Sequence, residues 1–159
     1  MSAGQTHVMA KYVNNMTKTG LADLWASDTI KAAIMTNAQT PSINDSDPRW
    51  GAGGSQNYST AEVTPGGNYS AGGVTLTGTT ITLSGAVTSL NATSPISIAA
   101  NASNPTGAYW IVYYSSTSSG KEILGFTDMA GPVSLVPGEQ FNINGVASGT
   151  QPLLQGTAT

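Results

Sequence analysis

From Val63 to Gly120 the chain has no Asp, Glu, Lys, Arg or His, so over a third of a 159-residue protein must stay in solution without charge. This stretch restricts the fold more than any other feature. A strand edge in such a segment invites pairing with another chain, and soluble proteins usually block it with Lys or Pro. Two defences remain. Gly, Pro and Asn interruptions shorten the strands, and a partner can cover what is left. Surfaces rich in Ser, Thr and Asn lose less on desolvation than charged ones, so they suit permanent assembly.

Inside the segment, "NYSAGGVTLTGTTITLSG" (Asn68 to Gly85) alternates apolar residues with Thr, which suits a pleated strand. Val74 and Leu76 hold even positions, whereas Ile81 and Leu83 hold odd ones. A strand cannot change the parity of its buried face without a turn or an extra residue. Gly78 sits at the change and supplies the backbone freedom, which predicts a hairpin or a bulged strand. Ile96 and Ile98 mark a further short strand between Pro95 and Pro105.

"TGAYWIVYYSS" differs, because both alternating faces are apolar or aromatic. Such a strand is buried on both sides or lends one face to a subunit interface, and core is the favoured reading. "SSTSSG" then reads as a turn before "KEILGFTDM", and "GPVSLVP" and "EQFNINGV" read as two more strands. Upstream, "DTIKAAIMT" places Ile30, Ala32 and Ile34 on one face of a strand.

Val8, Met9, Tyr12, Val13 and Met16 share one helical face, with Thr6 as N-cap and Gly20 as stop. The alternative is an N-terminal arm. Residues 37–59 form a long irregular stretch, and loops of that length usually bind something or project outward. Trp50 and Tyr58 are its candidate anchors. The expected architecture is mainly β: an antiparallel β-sandwich of jelly-roll or Greek-key type with a short N-terminal helix or arm. The expected organisation is an arm at 1–20, one domain at 21–147 and a C-terminal tail at 148–159. Leu153 and Leu154 in that tail make a final edge contact or dock on a neighbour.

Composition narrows the function. The chain has no cysteine, which excludes disulfides and thiolate metal sites. Charged residues are 8% of the total, against about 25% in ordinary domains. A net charge of −3 with scattered basic residues argues against nucleic acid as a partner. No run reaches the roughly 20 apolar residues of a membrane helix. The N-terminus has no secretion-type apolar core, so folding in a cytoplasm is expected.

Catalytic chemistry has little to stand on. His7 is the sole histidine, no triad can be specified, and there is no nucleophile elbow, P-loop or dinucleotide fingerprint. The acidic residues select no glycosidase pair. Asn44, Asp45 and Asp47 in "INDSDPRW" offer oxygen ligands for Ca²⁺, but the spacing is not that of an EF-hand, and a turn is the stronger reading. No cofactor is expected. The rings Trp50, Tyr58, Tyr69, Tyr109, Trp110, Tyr113 and Tyr114 suit either a core or a sugar-stacking surface.

Several stretches together resemble a group of small tailed-bacteriophage structural proteins. They are "SDTIKAAIM" (Ser27 to Met35), "AEVTPGGNYSAGGVTLTG" (Ala61 to Gly78), "AYWIVYY" (Ala108 to Tyr114) and "EILGFTDMAGPVSLVPGEQFNI" (Glu122 to Ile143). The pattern Glu62-Val63, Tyr69, Gly72-Gly73, Leu76, Gly78 is the most specific part. The chain departs from the group in a longer N-terminus, a Gly-rich insertion around 51–57 and lower charge. The resemblance implies a non-enzymatic virion protein, with a head decoration (cement) protein on the capsid exterior as the leading role. The partners would be the major capsid protein and further copies of the chain, as dimer or trimer. Tyr12, Trp50, Tyr58, Leu153 and Leu154 are the candidate interface residues. The alternatives are a low-copy tail, collar or head-completion component, or a carbohydrate-binding module for the host surface.

Overall fold

The computed structural model describes residues 6–10, 24–84, 87–92, 96–99, 107–134, 140–143 and 154–157. In chain order the elements are β1 (Thr6–Val8), a one-turn helix α1 (Leu24–Ser27), β2 (Ile30–Met35), β3 (Pro48–Arg49), β4 (Gln56–Asn57), β5 (Val74–Thr75), β6 (Thr80–Ser84), β7 (Val87–Asn91), β8 (Ile96–Ala99), β9 (Ala108–Ser115), β10 (Ile123–Val133), β11 (Gln140–Ile143) and β12 (Leu154–Thr157). The protein is mainly β. A five-stranded sheet runs β1-β10-β9-β2-β5, a three-stranded sheet β12-β7-β6, and β11 pairs with β8. All these pairings are antiparallel; among the described residues only the short β3–β4 pair is parallel.

β9 lies at the centre of the large sheet because its sequence has no polar face to give to water. Across antiparallel strands, directly opposed residues share a face. His7, Phe126, Val112 and Ala33 therefore line one face, continued by Trp110 and Met35. Val8, Gly125, Tyr113 and Ala32 line the other, continued by Ile111 and Ile34. Both faces are covered. Trp50 stacks on Tyr114 over the first face, with centroids 5.1 Å apart. Trp25 of α1 meets Tyr113 on the second at 6.2 Å and donates from Nε1 to the Asn91 carbonyl of β7 at 2.8 Å.

Three expectations are corrected. Thr6–Val8 is extended and pairs with Thr127–Gly125, so Thr6 does not cap a helix there; the rest of the expected helix, 11–20, lies outside the described residues. The 68–85 stretch is neither a hairpin nor a bulged strand. Val74–Thr75 pairs with β2, whereas Thr80–Ser84 pairs with β7, so the parity break is a crossing between sheets. Gly78 makes it in the left-handed region, at φ +59°. Gly131–Val133 of "GPVSLVP" is no separate strand. It continues β10 past a register shift, where Asp128 Oδ1 accepts from the Ala130 amide at 2.8 Å. At Leu154 the edge contact expected for the tail is met: Leu154–Thr157 pairs with Leu90–Val87 as β12 and lies against β1.

Candidate functional site

The stretch after β2 was expected to project, with Trp50 and Tyr58 as contact groups. It folds inward instead. Trp50 is 4% exposed and Tyr58 is 1% exposed, so neither ring offers a surface to a partner, and the two hold the loop to its own domain. The physical reason is the sheet beneath. The first face of β9 and β2 is apolar, and the loop supplies the cover it needs. Backbone bonds pin the cover at both ends: Trp50 N–H donates to the Lys121 carbonyl at 2.9 Å and Thr36 N–H to the Ala61 carbonyl at 2.8 Å. The Gly-rich insertion at 51–57 packs on the same loop, and a Cβ at Gly54 would sit 2.2 Å from the Asp47 carbonyl oxygen.

The candidate ion ligands go to separate partners. Tyr58 donates its hydroxyl to Asp45 Oδ2, and Asp47 Oδ2 accepts from Arg49 Nε at 3.0 Å. The Asp45 amide closes a turn on the Ser42 carbonyl at 3.2 Å. Among the described residues no group of His, Asp or Glu is gathered for a metal. Burial, followed by the Asp45 hydrogen bond and charge, pushes the Tyr58 phenol well above its ordinary range.

The Glu62-to-Gly78 pattern has a clear physical role. β5 covers the outer edge of β2 only at Lys31 and Ala32. Beyond it, Tyr69 and Val63 take the place of a strand. The Ile34 amide donates to the Tyr69 hydroxyl at 2.9 Å, and the Ile34 carbonyl accepts from the Val63 amide at 3.0 Å. Tyr69 in turn donates to Glu62 Oε1 at 2.8 Å, and the Gly72 amide donates to the same oxygen at 2.7 Å. Tyr114 donates to the Gly72 carbonyl at 2.6 Å. Gly73, at φ +80°, lies so close to β2 that a Cβ would meet the Ala32 carbonyl oxygen at 2.2 Å. Leu76 N–H closes the segment on the Ile30 carbonyl at 2.9 Å. Burial, with the charge of Glu62 adding to it, drives the Tyr69 phenol far above its normal range. This is an edge block made without lysine, and it is structural chemistry throughout.

A second cluster is similar. Ser115, fully buried, donates to Asp28 Oδ2 and accepts from the Ser118 amide at 3.0 Å. It has a carboxylate but no imidazole, and it secures the turn between β9 and β10.

The other sequence candidates divide. Leu154 is built into β12, whereas Tyr12 and Leu153 lie outside the described residues. Of the rings considered for stacking sugars, Trp50, Tyr58, Tyr69, Trp110, Tyr113 and Tyr114 are buried, and Tyr109 alone is half-buried. Sequence reasoning missed Trp25 and the roles of Glu62 and Asp28. The signal for Glu62 was its place as the last charge before the uncharged stretch.

Charge is distributed unevenly over the described elements. Asp28, Lys31, Asp45, Asp47, Arg49, Glu62, Lys121, Glu122 and Asp128 lie on the large sheet, its turns and its covering loop. The strands TITLS, VTSLN and LQGT of the three-stranded sheet, and ISIA and QFNI of the β11–β8 pair, have no charged residue. No protein-family model matches the chain, and no curated protein or solved structure matches it.

Proposed function

We propose that the chain is a non-enzymatic structural protein of a tailed-phage virion. In this reading it is a capsid decoration protein of antiparallel sandwich type, bound on the head exterior across joints between major capsid proteins. The supporting observation is the uncharged pair of smaller sheets. Their strands have neither the lysines nor the carboxylates that keep an exposed sheet monomeric, while the large sheet has its β2 edge blocked by the Glu62–Tyr69 segment. Covering by capsid neighbours and by further copies of the chain meets the same need. Each contact in a symmetric shell can be weak, because many equivalent contacts and mass action add their effects.

The Glu62-to-Gly78 pattern adds support. Its residues close an edge and thread a glycine past β2, so a resemblance at these positions concerns the fold, as expected of proteins whose task is to be rigid parts. The sugar-binding alternative loses its best rings to the core. The test is the copy number of the chain relative to the major capsid protein in purified particles, by quantitative mass spectrometry. Copies on the scale of the capsid protein are expected. A far lower number would move the chain to the tail or portal region, and absence from particles would overturn the virion reading.

A further inference from the structure

The sheets of this fold differ in how their edges end. β12, at one edge of the three-stranded sheet, lies against β1, at one edge of the large sheet. At the opposite edges the chain crosses directly from β5 to β6 through Gly78. The two larger sheets are therefore joined at both sides. The β11–β8 ribbon is not: among the described residues neither of its edges pairs with a further strand. It forms where the connection from β7 to β9 meets the connection from β10 to β12. A two-stranded ribbon is marginal in water by itself, and stability needs a third strand or a packed apolar face.

The register supplies such a face. Phe141 opposes Ile98 and Ile143 opposes Ile96, so these four share one face, whereas Asn142 opposes Ser97 on the other. The two edges differ in charge. β11 begins directly after Glu139, and a carboxylate beside an edge guards it. β8 lies well inside the uncharged stretch and has no such guard. Pro95 stops β8 from growing at its start, but every residue from Ile96 to Ala99 keeps its amide.

We infer that two copies of the chain join through their β8 edges, antiparallel about a two-fold axis at Ser97, into one four-stranded sheet. A two-fold edge meets itself, so any charge on it would be repeated at close range in the other copy; β8, with none, meets that condition. A centre at Ser97 sets Ile96 opposite Ile98 of the other copy and keeps the apolar residues of both ribbons on one face. A centre at Ile98 leaves Ile96 opposite no residue of β8, and a centre between residues puts the two apolar faces on opposite sides. The inference deepens the reading above, in which further copies cover the uncharged strands, by naming the strand through which they meet. It selects a dimer over a trimer, and it is a property of the isolated chain.

The chain has no cysteine, so a single introduced thiol reports only contacts between copies. Opposed residues at the two-fold centre lie about 4.5–5.5 Å apart at Cα, inside the range of about 4.4–6.8 Å that a disulfide spans. Ser97→Cys should therefore cross-link to a dimer under mild oxidation. Asn142→Cys, on the same face but one strand further from the axis, should stay uncrosslinked. In light scattering the unchanged chain should have the mass of two chains. Ser97→Lys, which brings two ammonium groups together at the axis, should have the mass of one, and Asn142→Lys should remain a dimer. Where Ser97→Lys fails to fold, the two cysteine variants decide. Monomers at every concentration, a trimer, equal cross-linking through Ser97 and Asn142, or a dimer that Ser97→Cys does not link overturns the inference. Any of these leaves the capsid reading standing, because that reading is tested separately by copy number in particles.

Discussion

The indole of Trp50 lies nearly flat on the ring of Tyr114, centroids 5.1 Å apart and planes 16° from parallel. A loop residue with no strand of its own thus becomes part of the sheet's cover. Trp50→Ala should cost about 3–5 kcal/mol, the range for removing a large buried ring. Urea unfolding will show it as a lower midpoint. An unchanged midpoint would return Trp50 to the role of a surface contact.

Gly73 and Gly107 both have positive φ, at +80° and +65°, but in different surroundings. At Gly107 a Cβ meets nothing within 4 Å, and at Gly73 it meets the Ala32 carbonyl oxygen at 2.2 Å. Gly107→Ala should therefore cost only the about 1–2 kcal/mol of a left-handed non-glycine residue. Gly73→Ala should cost clearly more and reduce soluble yield. Equal midpoints for the two variants would show that β2 and the 62–78 segment are not in close contact.

Glu62→Ala leaves the Tyr69 hydroxyl and the Gly72 amide without their shared acceptor, at a cost of about 1–3 kcal/mol. Glu62→Gln retains an acceptor oxygen and should cost less. Tyr69→Phe removes the acceptor of the Ile34 amide and should cost about 1–3 kcal/mol. Because the two side chains belong to one chain of bonds, the double variant should lose less than the sum, with a coupling of at least about 0.5 kcal/mol. Additive losses in chemical denaturation would argue against that chain.

Alkaline pH should unfold the protein through its tyrosines. Burial pushes the Tyr113 phenol up to about 12. Tyr114 is also raised to about 12, by burial first and then by the Glu62 charge. Tyr58 and Tyr69 are shifted upward as well. A folded-state value above the unfolded one favours the neutral phenol, so the stabilisation is complete below the unfolded value of 10.0 and is lost as pH rises through about 12. Unfolding midpoints measured across this window, alongside tyrosinate absorbance, should fall together. A flat profile to pH 12 would contradict the burial of these rings.

Removing residues 154–159 takes β12 from β7, whose residues Val87–Leu90 it pairs. That exposes the backbone of an uncharged strand, an edge prone to pairing with other chains. Light scattering should show concentration-dependent association for the truncated chain and less for the whole one. No difference would mean that β12 does not protect this edge.

The sequence shows where strands run better than what they touch. The two-faced run Ala108–Ser115 and the alternation around Ile30–Met35 were legible, because burial on both sides leaves no polar face. The parity change at Gly78 was legible too, but its meaning was not, since a hairpin and a crossing between sheets need the same residue. Trp50 and Tyr58 were misread because a ring that anchors a loop inward has the same chemistry as one that anchors it to a partner. β1 was misread because Val8 and Met9 also fit a helical face, and the residues that make Thr6–Val8 extended, Thr127–Gly125, lie at the far end of the chain. The Glu62 network was hidden because its end point, the Ile34 amide, is backbone and leaves no mark in composition.

The pairing of β2 with β9 has a consequence for the time the chain spends unfinished. β2 ends at Met35 and its central partner begins at Ala108, so during synthesis β2 emerges well before that partner exists. Pairings this distant in sequence form slowly, because the intervening loop must be closed first. The segment from Glu62 to Leu76 is available sooner. By occupying the Ile30, Ala32 and Ile34 backbone, it lets one side of β2 be closed early, while the rest of the uncharged stretch is still being made. The glycines and tyrosine that look like a signature in the finished protein also serve as a temporary guard for the nascent one.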